Sequence, residues 1–320
     1  MQFKDMTVRI DTIDMVDLRF SVTFGDDSKA LETSIGRIGL VNPPCLKHDP
    51  VRGMYSIVTG YRRLAALKNL AWQEVPARIV VDDPDECELF CYGLFDNLSH
   101  RMFNSVETAR AAERLCSYYG ENEVVDDFLP LLGLPPTVRS LEDMRAVSRL
   151  EPEVQELIVQ GRLALKTGVR LAGLPAEDRR ALFDLFAWVQ LSSSKQTEVL
   201  DACVDIAGRD GIRIGNLVRE PWVAALQQED RLSPSQKGER VRSGLRKKRF
   251  PRLCEKEAAF ARLKKELRLP AGMVLHAPPF FEGGTYRFDI AFKKPEDLAD
   301  AAERAAAVAG SALLQTLLED

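Results

Sequence analysis

A chain of 320 residues, 45% apolar and 29% charged, has the size and balance of a globular protein of two or three domains. No apolar run approaches the roughly 20 residues of a spanning helix, and a net charge of −4 excludes a surface coated all over for nucleic acid. Six scattered cysteines, at 45, 87, 91, 116, 203 and 254, exclude a small disulfide framework, so reduced thiols are expected.

The N-terminus, Met-Gln-Phe-Lys-Asp-Met, has no apolar signal core, and a cytoplasmic, membrane-free protein is expected. The charge is uneven. Residues 233–252 hold eight Lys/Arg against one Glu, a net of +7, which leaves −11 on the rest. An acidic body with one basic segment can touch a polyanion locally.

In chain order, Thr7–Asp11 and Leu18–Val22 alternate with period two and predict strands. Gly25–Ser28 is a turn, and Ser28 caps a helix through Leu31, Ser34, Ile35 and Ile38 that Gly39 stops. Pro43 and Pro44 keep 40–47 extended. A loop at 48–53 leads to a strand at 54–58, a helix at 61–70, a strand at 75–81, and a helix from Asp85 to about Asn97. This predicts one small mixed α+β domain over 1–102. Cys87 and Cys91 share a helix face there, but the spacing does not fit a zinc site.

Within this domain, Thr59-Gly60-Tyr61-Arg62-Arg63 runs from a strand into a helix. Gly60 allows a tight turn and close approach to a ligand. The first helix amides are unpaired donors that favour anions, and two guanidinium forks suit phosphate. The same residues also fit a plain strand–turn–helix corner with two solvated arginines.

From Asn104 the pattern becomes helical. Asn104 and Glu107 form a capping-box pattern for a helix to Tyr119, stopped by Gly120. Further helices are predicted at 122–132, 137–150, 152–160, 165–172, 176–190, 193–208 and 212–226, an all-α domain over 103–232. Residues 124–150 have the proportions of a helix-turn-helix, with Gly133 at the turn and Arg139, Arg145 and Arg149 on the second helix as DNA-contact candidates. Residues 233–252 read as a basic linker, whose Arg246, Lys247, Lys248 and Arg249 suit phosphate backbone. Residues 253–320 predict a small α/β domain: helix 253–267, strands at 273–275 and 286–292 joined by a turn at Glu282–Thr285, and helix 295–318. So small a core makes dimerisation attractive.

The ordered set Ser34-Ile35, Gly39-Leu40-Val41-Asn42-Pro43, Thr59-Gly60-Tyr61-Arg62-Arg63, Val75-Pro76-Ala77, Asp96-Asn97 and Asn104-Ser105-Val106-Glu107 resembles the ParB family of chromosome- and plasmid-partitioning proteins. Leu150-Glu151-Pro152 and Gly161-Arg162-Leu163 extend the resemblance to about residue 175, beyond which the family's usual C-terminal domain is not matched. The resemblance implies CTP and Mg2+ at the N-terminal domain, DNA at the helix-turn-helix, a homodimer that closes as a clamp, and a partition ATPase as partner. It implies that Gly39 and Pro43 shape the cytidine pocket, that Thr59, Gly60, Arg62 and Arg63 hold the triphosphate, and that Asp96 and Asn97 stand near the magnesium. The expected role is a nucleoid-associated, CTP-gated DNA-binding protein in partitioning or nucleoid organisation.

Three departures bear on chemistry. Tyr61 stands where the family has a glutamate tied to hydrolysis, Asp96 replaces a longer glutamate, and His100 replaces an arginine that Arg101 follows. A phenol is neutral at pH 7 and a poor base, so nucleotide binding is expected more readily than turnover, with at most a slow CTPase. Sulfiredoxins share the domain type but need a cysteine where Tyr61 stands. Alternative readings are a nucleotide hydrolase or phosphotransferase using Asp96, His100 or Asp85, and a nucleotide-inactive adaptor.

Overall fold

The computed structural model describes residues 1–25, 28–269 and 272–310. The chain divides into two compact units, Met1–Thr197 and Glu198–Asp320.

The first unit opens with a mixed five-stranded sheet in the order β1-β5-β3-β4-β2. Its strands are β1 (Phe3–Arg9), β2 (Ile13–Asp14), β3 (Cys45–Asp49), β4 (Met54–Thr59) and β5 (Glu74–Val80). β5 pairs antiparallel with β1 and parallel with β3, and β3 pairs antiparallel with β4. Helices α1 (Ser28–Ile38), α2 (Tyr61–Asn69) and α3 (Glu86–His100) accompany it. Leu46, Ile57, Leu64, Leu67, Val75 and Ala77 form the centre of one core, each at most 2% exposed. The period-two burial of β5 puts Val75, Ala77 and Ile79 into that core and leaves Arg78 outward.

Helices α4 (Ser105–Leu115), α5 (Glu121–Glu123), α6 (Val138–Ser148), α7 (Pro152–Val159), α8 (Leu165–Ala172) and α9 (Ala176–Phe186) follow. The α+β N-terminal fold and the helical middle segment therefore agree with the sequence reading. The unit boundary falls inside α10 (Ser193–Asp210), however, and residues 1–102 are not separate from α4–α9. The Asn104 side chain donates to the Phe24 carbonyl at 3.2 Å, and the Phe24 amide donates to Glu107 at 3.2 Å. These bonds tie the start of α4 to the segment before α1.

Several local expectations change. Leu18–Val22 is no strand: Asp14 accepts hydrogen bonds from the Val16 and Asp17 amides, which bends the chain away from the sheet, although Phe20 and Val22 still point inward. Residues 40–44 have no regular structure, and β3 starts at Cys45. α4 ends at Leu115. The helix expected at 122–132 is short α5 followed by a π-helical turn, Val124–Phe128.

The second unit contains most of α10, α11 (Ile214–Val218), α12 (Pro221–Gln227), α13 (Pro234–Arg249), α14 (Pro251–Leu267), the antiparallel pair β6 (Met273–His276) and β7 (Arg287–Ile290), and α15 (Pro295–Ala309). The single helix expected at 212–226 is broken before Pro221, which cannot donate to the preceding turn. The basic linker expected at 233–252 is instead α13. Ser233 and Gln236 form a capping box, Pro234 occupies the first turn, and Gly238, Val241 and Leu245 make a narrow buried stripe. The part of the last helix expected beyond residue 310 lies outside the described residues.

Candidate functional site

The corner between β4 and α2 is shaped by Gly60, whose φ of 97° suits glycine. A Cβ there would lie 2.8 Å from the Pro44 Cβ. The corner and the 42–44 loop are thus pressed together. Arg63 fastens them: its Nη1 donates to the carbonyls of Asn42 at 2.6 Å and Pro43 at 3.2 Å. Burial lowers the Arg63 pKa, while Asp96 opposes that effect.

α3 supplies the opposite wall. Asp85 caps it in a capping box with Glu88, so Asp85 is spent on the helix and does not line the cavity. Gly93 lets α3 approach β4, since a Cβ would meet the Val58 carbonyl at 2.7 Å. The close packing brings Asp96, Asn97, His100 and Arg101 to the corner. Asp96 lies 3.9 Å from Arg63 and 3.8 Å from His100. The Asn97 amide donates to the Gly93 carbonyl at 2.7 Å, leaving its oxygen for another partner. Arg101 is held by both carboxylate oxygens of Glu107, at 2.6 and 2.9 Å, and Glu107 is only 2% exposed.

Together these elements enclose a cavity of about 380 Å³. Of the residues named from the sequence, Pro43, Thr59, Gly60, Arg62, Arg63, Asp96 and Asn97 all line it. Gly39 does not: it ends α1 at φ 76°, with its amide on the Ile35 carbonyl. Thr23, Cys45, Arg78 and Tyr92 line it without having been expected there. The one signal for Arg78 was a charge within the apolar strand 75–80.

The wall chemistry is cationic and oxygen-rich, suited to a phosphorylated ligand. Among the described residues no cluster of three His, Cys, Asp or Glu exists that could hold a metal alone. Asp96 and Asn97 supply two hard oxygens, which fits Mg2+ that takes its other ligands from phosphate and water. Burial pushes the Cys45 thiol up to about 12, so it is not a nucleophile near neutrality. Tyr61 donates its hydroxyl to the Ile57 carbonyl at 2.7 Å, and burial holds its pKa well above the ordinary phenol value.

The arginines expected at DNA are ion-paired within the protein. Arg139 bonds Asp143 at 2.9 Å, Arg145 bonds Glu113 at 3.0 Å and also Glu121, and Arg149 bonds Glu113 at 2.8 Å. On α13, Arg246 grips Glu257 at 2.6 and 2.7 Å, Lys248 bonds Glu220 at 2.7 Å, and Arg249 pairs with Asp205. Lys247 is exposed. The basic linker expected from the sequence is therefore a helix, and Arg246, Lys248 and Arg249 on it are ion-paired. Pairs this exposed are individually weak.

Residues 5–96 match the family model described as the ParB N-terminal domain. The chain is 31% identical over 93 residues to the nucleoid occlusion protein of Bacillus subtilis, covering 29% of this chain and 32% of that one. The first relatives are thus matched over about a third of their length. The chain is 27% identical over 257 residues to a probable plasmid-partitioning protein ParB of Thermus thermophilus, covering 77% and 78% of the two chains. Among solved structures, the C-terminally truncated chromosome-partitioning protein ParB of Caulobacter crescentus, complexed with CTP-gamma-S, aligns over 57% of this chain and 99% of that one. The identity there is 22% and the TM-score 0.28, too low to carry an argument about ligands. No helix among the described residues is long and apolar enough to cross a membrane.

Proposed function

We propose, for a chain that carries a ParB N-terminal domain over residues 5–96 and is a divergent relative of ParB partitioning and nucleoid occlusion proteins, that the cavity binds CTP with Mg2+ and gates DNA binding. The observation that carries this reading is the convergence of Thr59, Gly60, Arg62 and Arg63 with Asp96 and Asn97 around one cavity. These residues are distant in sequence and chemically suited to a phosphate chain with its cation. Gly60 and the first α2 amides seat the phosphates, Arg62 adds charge, and Arg63 holds the 42–43 loop in place. Mg2+ would bring charge neutralisation, with Asp96 and Asn97 as its protein oxygens.

Turnover is not part of the proposal beyond a slow rate, because the Tyr61 hydroxyl is committed to Ile57. In the proposed cycle a homodimer binds DNA in the nucleoid through the helix-turn-helix, and nucleotide favours a closed form through its higher affinity for it. A partition ATPase is the partner that such a role would need. A panel of labelled nucleoside triphosphates with Mg2+, titrated with and without duplex DNA, tests the reading. CTP should bind best, and DNA should change its affinity. Failure of every triphosphate to bind would remove it.

A further inference from the structure

Four arginines line the cavity, and the fold treats them differently. Arg63 spends donors on the Asn42 and Pro43 carbonyls. Arg101 is matched by the buried Glu107 carboxylate. Arg62 opens α2 at the corner itself. Arg78 stands on the interior strand β5 and is oriented by a neutral aromatic group. Its guanidinium lies 5.5 Å from the centre of the Phe3 ring, and the Phe3 and Tyr92 rings are themselves 5.3 Å apart. Its ion pair with Asp5 is 4.0 Å long to a carboxylate that is 87% exposed, a contact that cancels little charge.

The sheet brings this side chain to the phosphate corner. Cys45 pairs with Thr59 on one side and with Arg78 on the other, so the three residues form a row across adjacent strands. The Arg78 amide donates to the Pro44 carbonyl at 2.9 Å, and Pro44 is the residue against which Gly60 is pressed. A positive charge in an outward position of an interior strand contributes nothing to the apolar core. Held over the Phe3 ring and little neutralised, it is a preorganised donor for an anion.

We propose that Arg78 contacts the phosphate chain of the bound ligand and that Phe3, over whose ring the guanidinium lies, is the residue that positions it. This rests on the nucleotide reading above and adds a recognition residue that the family motifs did not supply.

The test uses the full chain with Mg2+ and two probes, CTP and inorganic triphosphate, at several salt concentrations. Arg78→Gln should weaken both probes by about tenfold, as loss of a charge-assisted bond does, and flatten the dependence of log Kd on log salt. Arg78→Lys should keep the salt slope but bind a few-fold more weakly, because an ammonium lacks the fork. Phe3→Leu should weaken both probes to a lesser degree and add nothing on top of Arg78→Gln. Wild-type affinity in Arg78→Gln would overturn the proposal, as would a loss seen with CTP but not with inorganic triphosphate. If Arg78→Gln does not fold, Arg78→Lys carries the test, and unchanged affinity for both probes overturns it. Should the wild type bind neither probe, the nucleotide reading falls and this one with it; wild-type binding that Arg78 does not affect removes this one alone.

Discussion

The Tyr61 hydroxyl donates to the Ile57 carbonyl of β4 at 2.7 Å, which commits the phenol's proton to the backbone of the core strand. Burial and the nearby Asp17 both hold it protonated far above neutrality. Phosphate release from CTP should therefore be slow or absent, with no rise between pH 6 and 9 on a range set by the ordinary phenol pKa of about 10. Rapid, Asp96-dependent release would contradict this. Tyr61→Phe should cost about 1 kcal/mol of stability, read by denaturant unfolding, and leave CTP affinity near wild type.

Gly60 and Gly93 are required for different reasons. Gly60→Ala places a side chain in a left-handed conformation and drives it into Pro44, so it should cost roughly 1–3 kcal/mol of stability and abolish CTP binding. Gly93→Ala drives a Cβ into the Val58 carbonyl, so α3 must move outward and carry Asp96 and Asn97 with it. Its expected signature is a larger loss of affinity with Mg2+ present than absent, measured by titration in each condition.

Glu107 joins three elements: it caps α4, accepts the Phe24 amide and grips Arg101. Glu107→Ala should cost about 3 kcal/mol, the low end for breaking a buried ion pair, because Arg101 keeps some contact with water. Thermal or denaturant unfolding checks this, and a loss below about 1 kcal/mol would show that the pair is nearly neutral.

Glu113 holds both Arg145 and Arg149. If these arginines touch DNA, Glu113→Gln should release Arg149 and loosen Arg145, which Glu121 still holds, strengthen binding at low salt and steepen its salt dependence. A DNA titration across salt concentrations decides. Unchanged binding would place DNA recognition elsewhere on the chain.

Much of the site was legible because its signals are local. The strand–glycine–arginine run fixes the β4–α2 corner, and the Asp85–Glu88 and Asn104–Glu107 pairs fix two helix starts within four residues each. Arg78 and Tyr92 were not legible. They reach one cavity only because β5 lies beside β3 in one register and α3 packs closely through Gly93. The same limit hid the partners of the basic residues: Glu257, Glu220 and Asp205 reach α13 from other elements. α13 itself was misread from composition, since its apolar stripe is one residue wide and its polar Ser233–Gln236 cap looks like a linker. Leu18–Val22 shows the reverse case. Of its alternating apolar residues Phe20 and Val22 are buried but Leu18 is exposed, and the Asp14 turn takes the stretch off the sheet.

The central claim is that the corner opened by Gly60 holds a nucleotide's phosphates. Equilibrium titration of labelled CTP with Mg2+ against the wild-type chain and Arg62→Ala tests it most directly. Saturable binding by the wild type and its loss in Arg62→Ala is the expected result, and equal binding by the two proteins would contradict it.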